Sequence, residues 1–337
     1  VIHRSARLFA LAAAILLAAA IPLSTGIAHA QAAPAQPAAV STTEMQSWQQ
    51  NLAAWRKQRE MQVSARDGWL TLAGLEWLKT GVNTIGSAAD NTIRLPQQAP
   101  AHLALLTVMS GAHSDRAAKT PDPTVIQLLS PAGGFPADFT VDGKLAREGS
   151  LQVDGANAST MAWRGLSLAV LKRGDRYVLR IKDADSPLRT GFSSLNWYQP
   201  DPAFRVTAHW IPFLPPLIEE IPTVLGTTLK VPAPGLAMFM LNNKIMRLEP
   251  VLEDPAGKSL FFILRDQTST ATTYGGGRFL HTGLPDHGLS EPGTLVLDFN
   301  QLENPPCAYT KYATCPLPPK QNQLDTEIPA GEKRYER

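Results

Sequence analysis

The chain has 337 residues, with 31 Lys and Arg against 29 Asp and Glu, a formal net charge of +2, and 44% hydrophobic residues. This near balance, with no long Lys/Arg run and no stripe of interleaved basic and aromatic residues, excludes nucleic acid from the expected partners. The length suits two modest domains or one large one.

Residues 1–30 read as a secretory leader. His3, Arg4 and Arg7 supply a basic start, an apolar core runs from Leu8 to about Leu23, and Ala28-His29-Ala30 gives a small-residue cleavage site. The core is short for a membrane span of about 20 residues, with an uncleaved N-terminal anchor as the alternative, and no later segment approaches that length, so no span is expected once the signal is removed. Val1 fits a non-ATG start in a bacterial host, and the expected location is periplasmic or secreted. The Ala/Pro/Gln tract 31–40 is a linker by composition.

Ser41 with Glu44 has the form of a helix capping box, and Met45, Trp48, Leu52 and Trp55 follow at spacings of three and four. This predicts a helix to about Gln62 whose other, solvated face carries Arg56, Lys57 and Arg59.

From Gly68 the period becomes that of strands, with short runs at 69–72, 82–85, 92–95, 103–109, 124–129 and 139–141. Runs at 166–171 and 177–181 flank Lys172-Arg-Gly-Asp-Arg176, a hairpin turn signal; Arg173-Gly174-Asp175 is read as that turn and not as an adhesion motif. A second set covers 204–211, 236–241, 245–248, 260–264 and 294–299, with Pro-rich connectors expected at 212–216 and 231–235. The predicted fold class is mainly β with one N-terminal helix, built as sandwiches or barrels. Turn residues at 183–203 divide it into a helix-plus-sandwich domain, 41–190, and a β-rich domain, 191–337, ending in an irregular Pro/Asn/Cys segment.

Asp67-Gly-Trp-Leu-Thr-Leu-Ala-Gly-Leu-Glu-Trp-Leu78, Arg173-Gly-Asp-Arg-Tyr177, Asn196-Trp-Tyr198, Asp266-Gln-Thr268, Gly277-Arg-Phe-Leu280, Asn304-Pro-Pro-Cys-Ala308, Cys315-Pro-Leu-Pro-Pro319 and Ala330-Gly-Glu332 carry a resemblance to the domain of unknown function 1684 family of bacteria and archaea, spanning Trp48 to Glu332. That resemblance implies no activity. Separately, Gly81, Ile85-Gly86, Asn91-Thr-Ile-Arg-Leu95 and His102 resemble the opening strands of a forkhead-associated β-sandwich. Those modules read phosphothreonine through an Arg after the Gly and a Ser ahead of the His; here Ser87 follows Gly86 and no serine stands directly ahead of His102.

The two cysteines, Cys307 and Cys315, stand eight apart with no His nearer to Cys307 than His287, and no paired-ligand zinc spacing or Gly-x-Ser-x-Gly elbow occurs, so no metal site is expected and no catalytic residue is assigned. In an oxidising compartment the pair is expected as a disulfide, with a reactive or metal-binding Cys307 as the alternative. Thr273-Tyr-Gly-Gly-Gly-Arg278 could hold an anion through backbone N–H groups and an arginine fork. The candidate ligand residues are therefore Tyr274, Arg278, Asp298, Asn300 and Asn304, with a small polar or anionic molecule as ligand. Two readings stay open: a polar binding or catalytic pocket, or an envelope scaffold in which Arg278 pairs with Asp298 or Glu332 and locks the terminal segment down.

Overall fold

A computed structural model of the protein describes residues 41–109, 124–154, 157–253 and 256–336. The leader and linker expected at 1–40 lie outside the described residues. Helix α1 runs Thr42–Ser64, and its capping box is complete: Ser41 Oγ accepts from Glu44 N at 3.2 Å and Ser41 N donates to Glu44 Oε2 at 2.9 Å. A 3-10 turn, Trp69–Thr71, occupies the place of the expected first strand. Gly68 explains it, because a Cβ there would meet the carbonyl oxygens of Gln62 and Val63 at 2.5 Å, so the chain must fold tightly against the helix end before a strand can begin.

The strands of the first half are β1 (Leu72–Trp77), β2 (Gly81–Gly86), β3 (Ile93–Arg94), β4 (Ala104–Met109), β5 (Val125–Leu129), β6 (Thr140–Val141), β7 (Lys144–Leu145), β8 (Gly149–Ser150), β9 (Met161–Trp163), β10 (Leu166–Arg173) and β11 (Arg176–Asp183). They form two sheets, β1-β11-β10-β9-β6-β7 and β3-β2-β4-β5-β8. Side chains alternate across each strand, so Leu106, Val108, Ile126 and Leu128 of one sheet face Leu168, Val170, Leu179 and Ile181 of the other in a shared core. The result is a sandwich. β10 and β11 join through Gly174 and Asp175, with Gly174 at φ +63°, which is the plain turn expected.

A short helix, α2 (Pro187–Thr190), leads to β12 (Arg205–Pro222), β13 (Thr228–Leu241), β14 (Lys244–Leu248), β15 (Leu260–Leu264), β16 (Arg278–Thr282) and β17 (Gly293–Asp298). Sheet β14-β13-β12-β17 packs its inner face on the β15–β16 pair through Trp210, Phe239, Phe262, Leu280 and Leu297. Every residue of β15 is buried because its other face is covered too, by Ala313 and Cys315 of the terminal segment and by Leu72 of β1.

Two expectations need correction here. Residues 212–216 and 231–235 are not connectors; β12 and β13 run through them, with Pro212 opposite Gly235 and Pro232 opposite Ile218, while a register shift between Pro212 and Leu217 takes Pro215 and Pro216 out of the ladder they cannot donate to. Arg278 is not in a loop but opens β16, paired with Leu264. The segment after β17 is irregular as expected, with three 3-10 turns, and is held by side chains such as Asn322, which donates to Glu249 O and Ile263 O and accepts from Glu249 N.

Candidate functional site

Alternation along β16 decides which of its side chains face which layer. Arg278 and Leu280 point toward the four-stranded sheet, whereas Phe279 and His281 point the other way, into a cavity of about 410 Å³. The opposite wall is the outer face of the first half's six-stranded sheet. Leu179 and Ile181 of β11 fill the sandwich core, so Arg180 between them projects outward, beside Leu75, Leu171 and Arg173. Tyr312, Thr314, Cys315 and Pro316 of the terminal segment close the cavity. Cys307 and Cys315 stand at disulfide distance with Cα atoms 6.1 Å apart, which ties that wall to the chain eight residues before it.

The cavity floor is a network reached from α1. Arg59 Nε lies 3.0 Å from Glu332 Oε1 and 3.2 Å from Glu303 Oε2, and its Nη2 donates to Asn304 O at 2.8 Å. Glu332 is fully buried and also accepts from Asn304 N at 2.8 Å and from the Tyr309 hydroxyl at 2.7 Å. Burial pushes the Glu332 carboxyl above the usual carboxylate range, opposed by Arg59 and the Asn304 N–H. Burial also works against the Arg59 cation, but Glu332 and Glu303 outweigh it and hold the guanidinium protonated.

Glu303 continues the network to His281. The imidazole Nδ1 lies 3.5 Å from Glu303 Oε1 and Nε2 lies 3.4 Å from Glu253 Oε2, while the ring stacks on its cross-strand neighbour Phe261 at 4.6 Å. Burial disfavours the imidazolium, but hydrogen bonds and charge from Glu253 and Glu303 prevail and raise its pKa to about 9. The two carboxylates approach opposite ring nitrogens and so do not converge on one ion; no metal-ligating cluster occurs among the described residues.

The two remaining cations differ from these. Arg173 donates to Thr314 Oγ1 at 3.3 Å and to Lys172 O at 2.7 Å, with Asp154 3.7 Å away. Arg180, half-buried, has no carboxylate within ion-pair distance among the described residues. Burial and the neighbouring Arg173 charge both push its pKa down, against a weaker pull from Asp154.

Of the residues singled out from sequence, Asn304 lines this cavity; its Oδ1 is buried without a hydrogen-bond partner among the described residues, while Nδ2 donates to Lys333 O at 2.8 Å. The others lie elsewhere. Arg278 pairs with Asp266 at 2.7 Å, not with Asp298 or Glu332 carboxylates, and donates to Ile328 O at 2.8 Å and to Ala330 O. Asp298 accepts from Trp48 Nε1 at 2.7 Å and from Asn300 Nδ2 at 2.9 Å, and Asn300 exchanges hydrogen bonds with the Asp201 backbone. Tyr274 is half-buried beside its own glycines: a Cβ on Gly276 would fall 2.5 Å from its ring, and Gly277, at φ +94°, packs under Pro318. These glycines therefore serve close packing.

Arg59 was expected on a solvated face, and that expectation fails: it is 6% exposed. The signal was present in the spacing. Leu52, Arg59 and Val63, at i, i+7 and i+11, form one helical stripe and are the buried residues of α1. His281 and Arg180 had no such signal, since their significance comes from which sheet face meets which.

A solution NMR structure of an uncharacterized protein from Haloarcula marismortui is 32% identical over 43% of this chain and 78% of that one, with a TM-score of 0.37. No curated protein matches. The family described as "Protein of unknown function (DUF1684)" matches residues 190–333, a span that opens at the predicted domain boundary and contains the cavity's β16 and terminal walls, and the chain belongs to that family.

Proposed function

We propose that this protein, in the periplasm or secreted, binds a small anionic ligand in the cavity between the outer face of β10–β11 and the β16–terminal segment wall. The observation that carries the reading is Arg180: a half-buried guanidinium in a cavity wall, beside a second arginine and with no carboxylate within ion-pair distance among the described residues. A buried cation is normally paired. An anion bridging Arg173 and Arg180 would supply the missing partner through forked, charge-assisted hydrogen bonds. His281 lines the same cavity, with its two ring nitrogens held by Glu253 and Glu303 and its pKa raised to about 9 by them, which adds positive charge to the cavity wall.

The test is thermal denaturation with added phosphate, sulfate and acetate, repeated on Arg180→Gln. A ligand that binds the folded state at 100 times its Kd stabilises by about 2.7 kcal/mol. The wild-type melting temperature should rise with at least one anion. Arg180→Gln should melt near or above the unliganded wild type and lose that rise. If no anion shifts the wild type, or if the variant responds equally, the scaffold reading prevails, which the pairing of Arg278 with Asp266 and the hydrogen bonds of Asn300 to Asp201 favour.

A further inference from the structure

The anion site does not end at Arg173. A second cavity of about 350 Å³ adjoins the first and shares Arg173, Glu253, Phe261, Thr314 and Pro316 with it. Its character is different. Beyond the shared residues and Lys172 and Gly174 at its edge, its walls are mainly Ile221, Leu229 and Val231 of the β12–β13 ribbon, Ile263 on the outward face of β15 and Val251 bridged to Phe261, with Thr223, Thr227 and Thr228 among them. The apolar contribution follows from the fold: β12 and β13 extend past the four-stranded sheet, and their buried Ile221 and Ala233 join Phe261 and Ile263 in a separate apolar cluster.

We infer that the ligand is an elongated amphiphile, with an anionic head held by Arg173 and Arg180 and an aliphatic arm that passes Thr314 into the second cavity. This rests on the proposed anion site and adds the class of molecule. Arg173 stands at the junction, where its stem gives apolar wall and its head faces the anion. The arm gains by leaving water, whereas a small inorganic anion fills the first cavity alone. The arginine pair does not require one head chemistry, because a guanidinium fork suits carboxylate and phosphate alike.

The experiment is isothermal titration of the full chain with two homologous series, acetate to octanoate and methyl to octyl phosphate. Each buried methylene should tighten binding about three- to fourfold until the second cavity is filled, after which the gain should stop. Val231→Phe, which narrows the second cavity, should leave acetate or methyl phosphate binding unchanged and abolish the gain with length. Thr228→Trp, an exposed strand position, serves as a second blocking variant whose folding is less at risk. Comparison of the two series identifies the head. Short anions binding with no gain from length would overturn the amphiphile and leave the anion site standing. Absence of binding by every member, short or long, would overturn both. A gain with length that survives both blocking variants would place the arm elsewhere and overturn the assignment of the second cavity.

Discussion

Arg278 is 1% exposed, and its guanidinium lies between the Asp266 carboxylate and backbone carbonyls of the terminal segment. A buried pair of this kind contributes modestly as a pair, yet removing one partner strands the other charge. Arg278→Ala should therefore cost roughly 3–5 kcal/mol in urea denaturation, and a cost under 1 kcal/mol would show that Asp266 is reached by water. His281 gives a pH dependence whose sign follows from its raised pKa, from 6.5 to about 9. The group binds its proton more tightly when folded, so the contribution is complete below pH 6.5 and is lost as pH rises through about 9. Because the side chain is 44% exposed, solvent screening reduces the effect to about 1–2 kcal/mol. Urea midpoints measured from pH 6 to pH 10 should fall across that window in the wild type and less steeply in His281→Gln. At this scale the sequence was informative for chemistry and silent on direction: Arg278 was marked as either fork or lock, and only its position one residue out of phase with Phe279 and His281 turns it away from the cavity.

Among the elements, the strands of the first half were the most legible, as short apolar runs between turn residues, although the alternate burial of β4 and β5 does not show in the nearly continuous apolar runs Ala104–Met109 and Val125–Leu129. The β12–β13 ribbon was not, because its prolines weaken the ladder signal and a register shift hides them. The terminal segment was legible as irregular and as important, but not as a cavity wall. Its disulfide pair should be visible directly: alkylation without reduction, followed by mass spectrometry, should label neither Cys307 nor Cys315. Closing so short a loop stabilises by about 2–3 kcal/mol in the chain-entropy treatment. Cys307→Ser/Cys315→Ser should lose about that much and should also weaken anion binding, since Cys315 lies in the cavity wall. Two alkylated thiols in the untreated protein would remove the bridge and reopen Cys307 as a reactive residue.

For the molecule as a whole, the decisive connection is the one made by α1 across the sandwich. The helix precedes the first half in sequence but places Trp48 on Asp298, Glu60 on the Leu195 N–H, and Arg59 on Glu332, 273 positions later. The family-matched span 190–333 thus contains a fully buried carboxylate whose cation comes from outside that span. Without it, Glu332 retains only the Tyr309 hydroxyl and the Asn304 N–H, which do not neutralise a charge out of contact with water. Arg59→Met in the full chain should accordingly cost about 3–5 kcal/mol, and adding Glu332→Gln should return a substantial part of that loss, because the stranded charge is then gone. The fragment 190–336 should show the same dependence more severely, folding weakly alone and gaining stability when a peptide of residues 41–66 is supplied in trans. Urea denaturation of the four full-length variants in the double-mutant cycle measures the coupling. If Arg59→Met costs no more alone than with Glu332→Gln, the helix is an ornament on the C-terminal half and the cavity floor stands without it.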